Sequence, residues 1–288
     1  MEQRLIDRLD RLLDRVEALL PAPGTPPDWN ASIAFRWRRH GRGASLQPVR
    51  HPHQLTPDQL RNVDRQKALL ERNTRQFIAG LPANNALLWG SRGTGKSSLI
   101  KAVLNRYAEH GLRLIEVDKA DLVDLPDIAD LVWDRPERFV LFCDDLSFEA
   151  GDPSYKALKA MLDGSVSAAP ENLLIYATSN RRHLLPEYMT ENAEARNVDG
   201  EIHHGESVEE KISLSERFGL WVSFHPFSQD HYLDIVWNWL AHFGTRIDHP
   251  DTVREEALRY ALARGSRSGR VAWQFARDWA GRSGLGEG

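Results

Sequence analysis

Cysteine and long apolar runs are both nearly absent from this chain of 288 residues. The single cysteine, Cys143, excludes an internal disulfide framework and a zinc site built from cysteines. No apolar run approaches the ~20 residues of a membrane-spanning helix. The first residues mix charged and apolar side chains, so the apolar core of a signal peptide is lacking too. These absences favour the cytoplasm as the location.

The chain also lacks an excess of positive charge. It has 37 Lys and Arg against 41 Asp and Glu, a formal net charge of −4 and a pI of about 6.3. Proteins that mainly wrap nucleic acid are usually basic, so this balance argues against such a role and leaves only a local basic face open. The length and the 41% hydrophobic content suit one large domain, or a core domain with a smaller one attached.

The N-terminal region, residues 1–44, contains two segments with two interpretations each. Residues 2–20 carry an apolar stripe at helical spacing, followed by a proline-rich turn. This predicted helix either packs on the main domain or detaches to bind a partner or a second copy. The second segment interleaves aromatic residues with Arg36, Arg38, Arg39 and Arg42. It is typical either of a short amphipathic strand with a solvated face or of a surface that binds nucleic acid.

Helix and strand patterns alternate through the middle of the chain. Thr56 and Pro57 are a typical helix start, and a helix is predicted from there to about Phe77. Strands are predicted near 86–89, 112–117, 139–143 and 173–177, and helices at 97–109, 121–133 and 154–162. This alternation predicts a parallel sheet covered by helices on both faces.

Two further regions follow. Residues 186–215 are polar and acidic and are interpreted as an insertion. Its His203-His204 pair is interpreted as solvated, with a metal site as the alternative. From 228 onward only helices are predicted, at about 228–241, 251–264 and 268–281. The sequence thus predicts an α/β core at 45–227 and a small helical lid domain at 228–288.

Residues 90–97 read Gly-Ser-Arg-Gly-Thr-Gly-Lys-Ser between a predicted strand and a predicted helix. This is the P-loop pattern in its diagnostic context. Glycines let successive N–H groups point at phosphate oxygens, and the helix N-terminus adds partial positive charge. The pattern predicts binding of ATP with Mg²⁺, with Lys96 on the β- and γ-phosphates and Ser97 on the metal. The predicted nucleotide contacts are Gly90, Ser91, Arg92, Gly93, Thr94, Gly95, Lys96, Ser97 and Ser98.

A second acidic motif follows the apolar run at 139–143. Asp144 and Asp145 come at the carboxyl end of a predicted parallel strand, where P-loop proteins manage magnesium and the attacking water. We therefore predict Asp144 as a magnesium ligand and Asp145 as the carboxylate that orients the water. Cys143 is interpreted as a core residue, with a reactive thiol as the alternative.

With these motifs placed, the chain resembles the AAA+ ATPases over roughly residues 45–285. Within them it is most similar to the bacterial family known as domain of unknown function 815. The resemblance rests on these segments: Pro-Ala-Asn-Asn at 82–85, Leu-Trp-Gly at 88–90, Asp-Asp-Leu-Ser-Phe-Glu at 144–149, Ala-Thr-Ser-Asn-Arg-Arg-His-Leu at 177–184 and Ser-Glu-Arg-Phe-Gly-Leu at 215–220.

The resemblance implies roles for residues outside the P-loop. Asn180 matches the sensor 1 residue that helps to hold the attacking water. Arg217 resembles the arginine finger that one subunit inserts beside the nucleotide of its neighbour. Arg270 resembles sensor 2 at the start of the third lid helix of branch-migration helicases, with Arg267 as the alternative. Val63 matches a residue that packs on the adenine ring.

Each of these residues also has a local interpretation. Asn180 could cap a turn, Arg217 could be a surface charge, Arg270 could pair within the lid, and Val63 could pack within its helix. One departure from the family pattern concerns catalysis. AAA+ enzymes usually carry Asp-Glu where this chain has Asp144 and Asp145, and Glu149 is the alternative source of the longer carboxylate.

Three functions remain open from the sequence. The first is an ATPase that assembles head to tail, often as a hexameric ring, and remodels or loads a protein or nucleic-acid partner. The second is a switch that binds ATP, assembles and hydrolyses little. The third is a DNA-directed ATPase related to replication initiators and loaders. The basic segment at 36–42 would be the evidence for it. No membrane partner is expected.

Overall fold

A computed structural model describes residues 27–40, 43–149, 152–164, 170–182, 184, 196–198, 201–203 and 214–285. Its strands are β1 (Ala34–His40), β2 (Gly43–Pro48), β3 (Ala86–Gly90), β4 (Leu112–Glu116), β5 (Arg138–Cys143), β6 (Leu173–Ser179), β7 (Arg196–Val198), β8 (Glu201–His203) and β9 (Leu220–Phe224). Seven of them form one sheet in the order β2-β1-β4-β5-β6-β3-β9, and β7 and β8 form a separate pair. Within the large sheet only β2 runs antiparallel to its neighbour.

Seven α-helices flank or follow the sheet in the described part of the chain. They are α1 (Asp64–Ile78), α2 (Lys96–Tyr107), α3 (Leu125–Val132), α4 (Pro153–Asp163), α5 (Gln229–His242), α6 (Pro250–Ala263) and α7 (Gly269–Gly284). One apolar cluster joins the sheet to α1, α2 and the last three helices, and a second joins it to α3 and α4. The predicted parallel sheet between helices is therefore confirmed.

Strand β5 shows why the central strands are apolar throughout. Its residues alternate between the two clusters: Val140 and Phe142 pack on one side, and Phe139, Leu141 and Cys143 on the other. A strand that is covered on both faces needs apolar residues at consecutive positions. Burial of Cys143 also raises the pKa of its thiol far above the ordinary value, so the core interpretation of this residue fits the structure better than a reactive thiol.

The single helix predicted from Thr56 to about Phe77 is wrong. A short 3₁₀ helix covers Pro57–Gln59, and α1 begins only at Asp64. Between them, Asn62 has a φ of 61°, a left-handed conformation that interrupts any right-handed helix. Nζ of Lys67 donates to the carbonyl oxygen of Leu60 at 2.8 Å and so satisfies a backbone group at the break. Apolar spacing does not reveal this break, because Leu60 and Val63 continue the helical pattern.

Strand β1 confirms the amphipathic strand interpretation of the segment around residues 35–42. Phe35 and Trp37 are buried in the second apolar cluster, while Arg36 between them and Arg38 after them are partly exposed. Strands β2 and β9 are not predicted by the sequence pattern. Strands β7 and β8 lie within the predicted insertion at 186–215, most of which falls outside the described residues. The predicted helix at 2–20, Arg42 and His204 lie outside them as well.

The C-terminal part of the chain consists of α5, α6 and α7, close to the three helices predicted there. They pack around a shared core that includes Tyr232, whose hydroxyl donates to the carbonyl oxygen of Ala257 at 3.0 Å. We call these three helices the lid; the domain boundaries themselves stay predictions. Among the described residues, no helix is both long and apolar enough to cross a membrane.

Candidate nucleotide-binding site

The P-loop begins at the end of β3, where Gly90 is paired with Phe224 of β9. Gly90 has a φ of 126°, and a Cβ atom there would lie 2.0 Å from the carbonyl oxygen of Phe224 in β9. The N–H of Ser91 donates to that same oxygen at 3.1 Å. Only glycine combines this conformation with this approach, so Gly90 fixes the start of the loop against the neighbouring strand.

The middle of the loop touches the lid. A Cβ atom at Gly93 (φ 73°) would meet Oγ of Ser268 at 2.8 Å, and the N–H of Arg270 donates to the carbonyl oxygen of Gly93 at 3.2 Å. Inside the loop, Oγ1 of Thr94 donates to the carbonyl oxygen of Ser91 at 2.7 Å. These contacts hold the P-loop between the sheet and the first turn of α7.

Gly95 is the N-cap of α2, with a φ of 103°. Lys96, Ser97 and Ser98 form the first turn of that helix. Their backbone N–H groups therefore have no acceptor within the helix and point toward the loop. Arg92 is exposed at the tip. The loop and the helix together present the N–H groups and the cationic side chains with which phosphate is bound in P-loop proteins.

Lys96 is nearly buried and contacts three oxygens. Its Nζ donates to the carbonyl oxygens of Gly90 and Ser91, both at 2.8 Å, and to Oδ1 of Asn180 at 3.1 Å. Burial lowers the pKa of Lys96, although the charges of Asp145 and Asp144 act in the opposite direction. A buried ammonium held by neutral carbonyl oxygens is suited to bind an anionic phosphate oxygen. The negative charge of the phosphate would favour the protonated form of Lys96.

Asp144 is linked to the first turn of α2 and to strand β6. Its Oδ1 accepts hydrogen bonds from the hydroxyls of Ser97 and Thr178, each at 2.6 Å. The predicted pair of magnesium ligands, Ser97 and Asp144, is thus brought into direct contact. Both offer the hard oxygen ligands that Mg²⁺ prefers, so these residues fit the ion.

Asp145 lies beside Asp144 in an unusual backbone conformation, with a φ of 52°. Its N–H donates to Oγ1 of Thr178 at 2.9 Å, and its Oδ1 accepts a hydrogen bond from the side-chain amide of Asn180. Asn180 therefore contacts both Lys96 and Asp145. Glu149 comes four residues after Asp145 in a segment that is not helical, so the chain between them is roughly 13 Å long when extended. The structure places Asp145 and not Glu149 next to Asn180.

Comparison with known proteins gives one family match. The sequence matches the family described as "protein of unknown function (DUF815)" over residues 30–283. The chain belongs to this family. No curated protein matches the sequence.

Solved structures share the fold of this DUF815 protein. The Holliday junction branch migration motor RuvB of Thermotoga maritima is 15% identical with a TM-score of 0.50, over 77% of this chain and 63% of that one. The Aeropyrum pernix ORC1 protein, solved in complex with DNA, is also 15% identical with a TM-score of 0.50, over 75% of this chain and 59% of that one. The chain thus spans about three fifths of these proteins. The shared fold is that of the AAA+ P-loop ATPases.

In the DUF815 chain, the two candidate sensor 2 residues are both exposed at the start of α7. Ser268 caps this helix, because its Oγ accepts the N–H of Val271 at 3.3 Å. The backbone of Arg270 is bonded to the P-loop, and its charge, like that of Arg92, contributes to the lowered pKa of Lys96. The structure therefore places Arg270 closer to the phosphate loop.

Val63 is buried at the N-cap position of α1 and packs in the same apolar cluster as Phe227 and the lid residue Val271. It lies at the junction between core and lid. This location agrees with a contact to the base of a nucleotide, and equally with ordinary packing at the start of a helix.

Arg217 lies away from the P-loop of its own subunit. It comes just before β9, at the amino ends of the parallel strands, whereas the P-loop follows the carboxyl end of β3. A strand of this length separates the two ends by roughly 15 Å. Nε of Arg217 donates to Oδ1 of Asp163 at the end of α4. Among the predicted catalytic residues, Asp145, Asn180 and Arg270 lie beside the P-loop or its lysine, and Arg217 does not.

Thr178 is a candidate functional residue that the sequence motifs do not predict. It is buried, and its hydroxyl contacts both acidic residues. One available signal was its place two residues before Asn180 in the motif at 177–184. A hydroxyl in a mostly apolar strand is a further hint, because a buried hydroxyl needs a polar partner.

The described arginines of the basic segment at 36–42 form ion pairs with carboxylates. Nε of Arg36 donates to Glu116 at 2.8 Å, Nη1 of Arg38 to Asp118 at 2.9 Å, and Arg39 pairs with Asp124. Three of the four arginines named for a DNA-binding face are therefore ion-paired. In the described part of the chain, no group of three His, Cys, Asp or Glu residues could hold a metal ion.

Proposed function

We propose that this chain is an AAA+ ATPase that binds Mg-ATP at its P-loop and hydrolyses it between subunits in order to remodel or load a macromolecular partner. One observation carries the proposal. Asn180 bridges Lys96 and Asp145, directly beside the contact between Ser97 and Asp144. A phosphate-binding cation, a metal-binding pair and a carboxylate for water thus lie next to one another, as hydrolysis of a phosphoanhydride requires.

The residues of this chain would divide the work as follows. The P-loop N–H groups and Lys96 bind the phosphates, and Ser97 and Asp144 hold magnesium, which supplies charge neutralisation when bound. Asp145 orients the attacking water and accepts its proton, and Asn180 keeps the carboxylate of Asp145 directed toward the loop. Most of the catalysis is positioning and electrostatic stabilisation, so these contacts matter more than covalent chemistry.

Arg217 would complete the site of a neighbouring subunit. Its distance from its own P-loop supports action in trans, because its guanidinium lies at the opposite end of the parallel strands. A finger of this kind can increase the rate by roughly 10³–10⁵-fold. A lone subunit should therefore hydrolyse ATP poorly, and assembly should activate it.

The decisive experiment mixes two variants that are each expected to be inactive. Lys96→Ala retains Arg217 but lacks the phosphate-binding cation, and Arg217→Ala retains the P-loop but supplies no finger. If Arg217 acts in trans, mixing restores part of the phosphate release, because some subunit contacts then combine an intact P-loop with an intact finger. Arg246→Ala, which removes an exposed lid arginine paired only with nearby Asp248, should behave as the parent chain.

Other results would contradict specific parts of the proposal. If Arg217→Ala hydrolyses ATP as fast as the parent, Arg217 is not the finger. If the parent binds ATP but releases no phosphate at any protein concentration, the chain is an ATP-binding switch. The short side chain of Asp145, where the family pattern usually has Glu, is the observation that favours this second candidate.

A DNA-directed ATPase is the third candidate, because one of the two solved structures is a Holliday junction branch migration motor and the other is a complex with DNA. Against it, the arginines of β1 are paired with carboxylates. Binding of duplex and single-stranded DNA at several salt concentrations tests it, because phosphate contacts would make the affinity fall steeply with salt.

A further inference from the structure

The lid is joined to the core at two separate places. At the phosphate end, the N–H of Arg270 donates to Gly93 of the P-loop at 3.2 Å. At the other end, the segment 59–62 contacts helix α5. Nδ2 of Asn62 donates to Oδ2 of Asp234 at 2.9 Å and to the carbonyl oxygen of His231 at 3.3 Å. This second junction immediately precedes Val63, the predicted contact of the adenine ring.

The backbone of Asn62 is held in a costly conformation. Asn62 and Asp145 are the only two non-glycine residues with positive φ in the described part of the chain. Asparagine tolerates the left-handed region better than most residues, but such positions persist only where the surroundings impose them. Asp145 lies in the predicted catalytic motif. Asn62 precedes α1, and its side chain is directed to the lid.

A third hydrogen bond supports the same junction. Nδ2 of Asn238, one turn further along α5 from Asp234, donates to the carbonyl oxygen of Gln59 at 3.4 Å. Helix α5 therefore presents one face to the whole segment 59–62. The bond from Asn62 to the Asp234 carboxylate is charge-assisted, which makes it the stronger of these contacts.

We propose that Asn62 and Asp234 form a latch that sets the orientation of the lid at the base end of the nucleotide site. The latch rests on the proposed function, because it requires that ATP binds between core and lid. Lid orientations that cannot contact the base lower the apparent affinity by the fraction of molecules that adopt them. A contact that favours the competent orientation before ATP arrives therefore strengthens binding. The gain in affinity should be the same for ATP and ADP, because the latch lies at the base end of the site.

The test compares ATP and ADP binding to Asn62→Gly, measured by isothermal titration calorimetry. Glycine keeps the positive φ and removes only the side-chain bonds. Loss of a hydrogen bond of ordinary net strength predicts about 3- to 10-fold weaker binding. The factor should be the same for ATP and ADP, and Asp234→Ala should reproduce it. Arg270→Ala provides the contrast, because a γ-phosphate sensor should weaken ATP more than ADP.

Two controls separate the latch from general damage to the lid. Asp248→Ala removes a lid carboxylate that pairs with Arg246 and should leave both affinities unchanged. Asn62→Ala keeps a Cβ at positive φ, so its melting temperature should fall below that of Asn62→Gly. The double variant Asn62→Gly/Asp234→Ala should bind ATP no more weakly than Asn62→Gly alone, because Asn62→Gly already removes the contact with Asp234.

The outcomes distinguish the latch from the proposed function. If the parent chain binds neither ATP nor ADP, the proposed function itself fails. If the parent binds both and Asn62→Gly binds them equally well, the latch is overturned and the nucleotide site stands. An effect of Asn62→Gly confined to ATP, or additive effects in the double variant, would also overturn it.

Discussion

At the scale of single residues, the hydroxyl of Thr178 connects the two acidic residues of the site. It donates to Asp144 and accepts the N–H of Asp145, so one side chain fixes both the predicted metal ligand and the backbone of the predicted water-orienting residue. Groups that hold a metal ligand in place commonly change activity when they are removed, even though they touch neither metal nor substrate.

Replacement of Thr178 by valine should therefore impair hydrolysis without unfolding the chain. Valine keeps the shape but loses both hydrogen bonds. We expect phosphate release to fall about 10- to 100-fold and the Mg²⁺ concentration at half-maximal activity to rise. Thr178→Ser, which keeps the hydroxyl, is the matched control. Equal Mg²⁺ dependence in the parent and in Thr178→Val would show that Asp144 needs no such support.

At the scale of elements, β1 shows how a strand with alternating arginines is built into the sheet. Its parallel register places Arg36 opposite Glu116 of β4. On its buried face, Nε1 of Trp37 donates to Asp124 at 2.9 Å, and Arg39 reaches the same carboxylate. The hydrogen bond from Arg39, followed by that from Trp37, holds the pKa of Asp124 below its ordinary value in spite of burial.

This shift predicts how stability depends on pH. Because the pKa of Asp124 is lower in the folded than in the unfolded chain, its contribution is complete at neutral pH and is lost as the pH falls below about 4. Asp124→Asn should cost about 1–3 kcal/mol near pH 7, since the buried Trp37 loses a charged acceptor. Urea denaturation across this range should show the difference from the parent shrinking in acid. Asp130→Asn, at an exposed position of α3, should cost little at any pH.

At the scale of the whole molecule, the nucleotide site lies where sheet, P-loop and lid meet. Gly93, Ser268 and Arg270 are in contact across this junction, as are Asn62 and Asp234. A ligand that bound there would contact both parts of the molecule. It would then stabilise the folded chain as a unit, because it binds the folded state and not the unfolded one.

We therefore expect Mg-ATP to raise the melting temperature of the parent chain. At about 100 times its Kd, the ligand adds about 2.7 kcal/mol. For a chain of this size, that corresponds to roughly 5–10 °C. Differential scanning calorimetry should detect the shift, and Lys96→Ala should lose most of it. An equal shift in Lys96→Ala would mean that ATP binds elsewhere on the molecule.

Local pattern was sufficient for much of this protein. The alternation of apolar strands and helices predicts the parallel sheet, and the glycines, Lys96 and Ser97 at 90–97 predict the phosphate loop, because these features depend on residues close together in the chain. The pair Asp144 and Asp145 is found in the same way, at the end of one apolar strand. The contact of Ser97 with Asp144 also follows, since carboxyl ends of parallel strands share one edge of the sheet.

Tertiary structure decided what depends on residues far apart in the chain. Strand β9 is as short as β3 and β4, but it lies at the edge of the sheet and its pairing with β3 joins residues that are far apart in the chain. The break before α1 depends on contacts with α5, which follows more than 160 residues later. The arginines of β1 look like a basic face until the sheet places carboxylates beside them. Sequence determined the chemistry of the phosphate loop, and the packing of lid, sheet and loop decided which charges remain available to it.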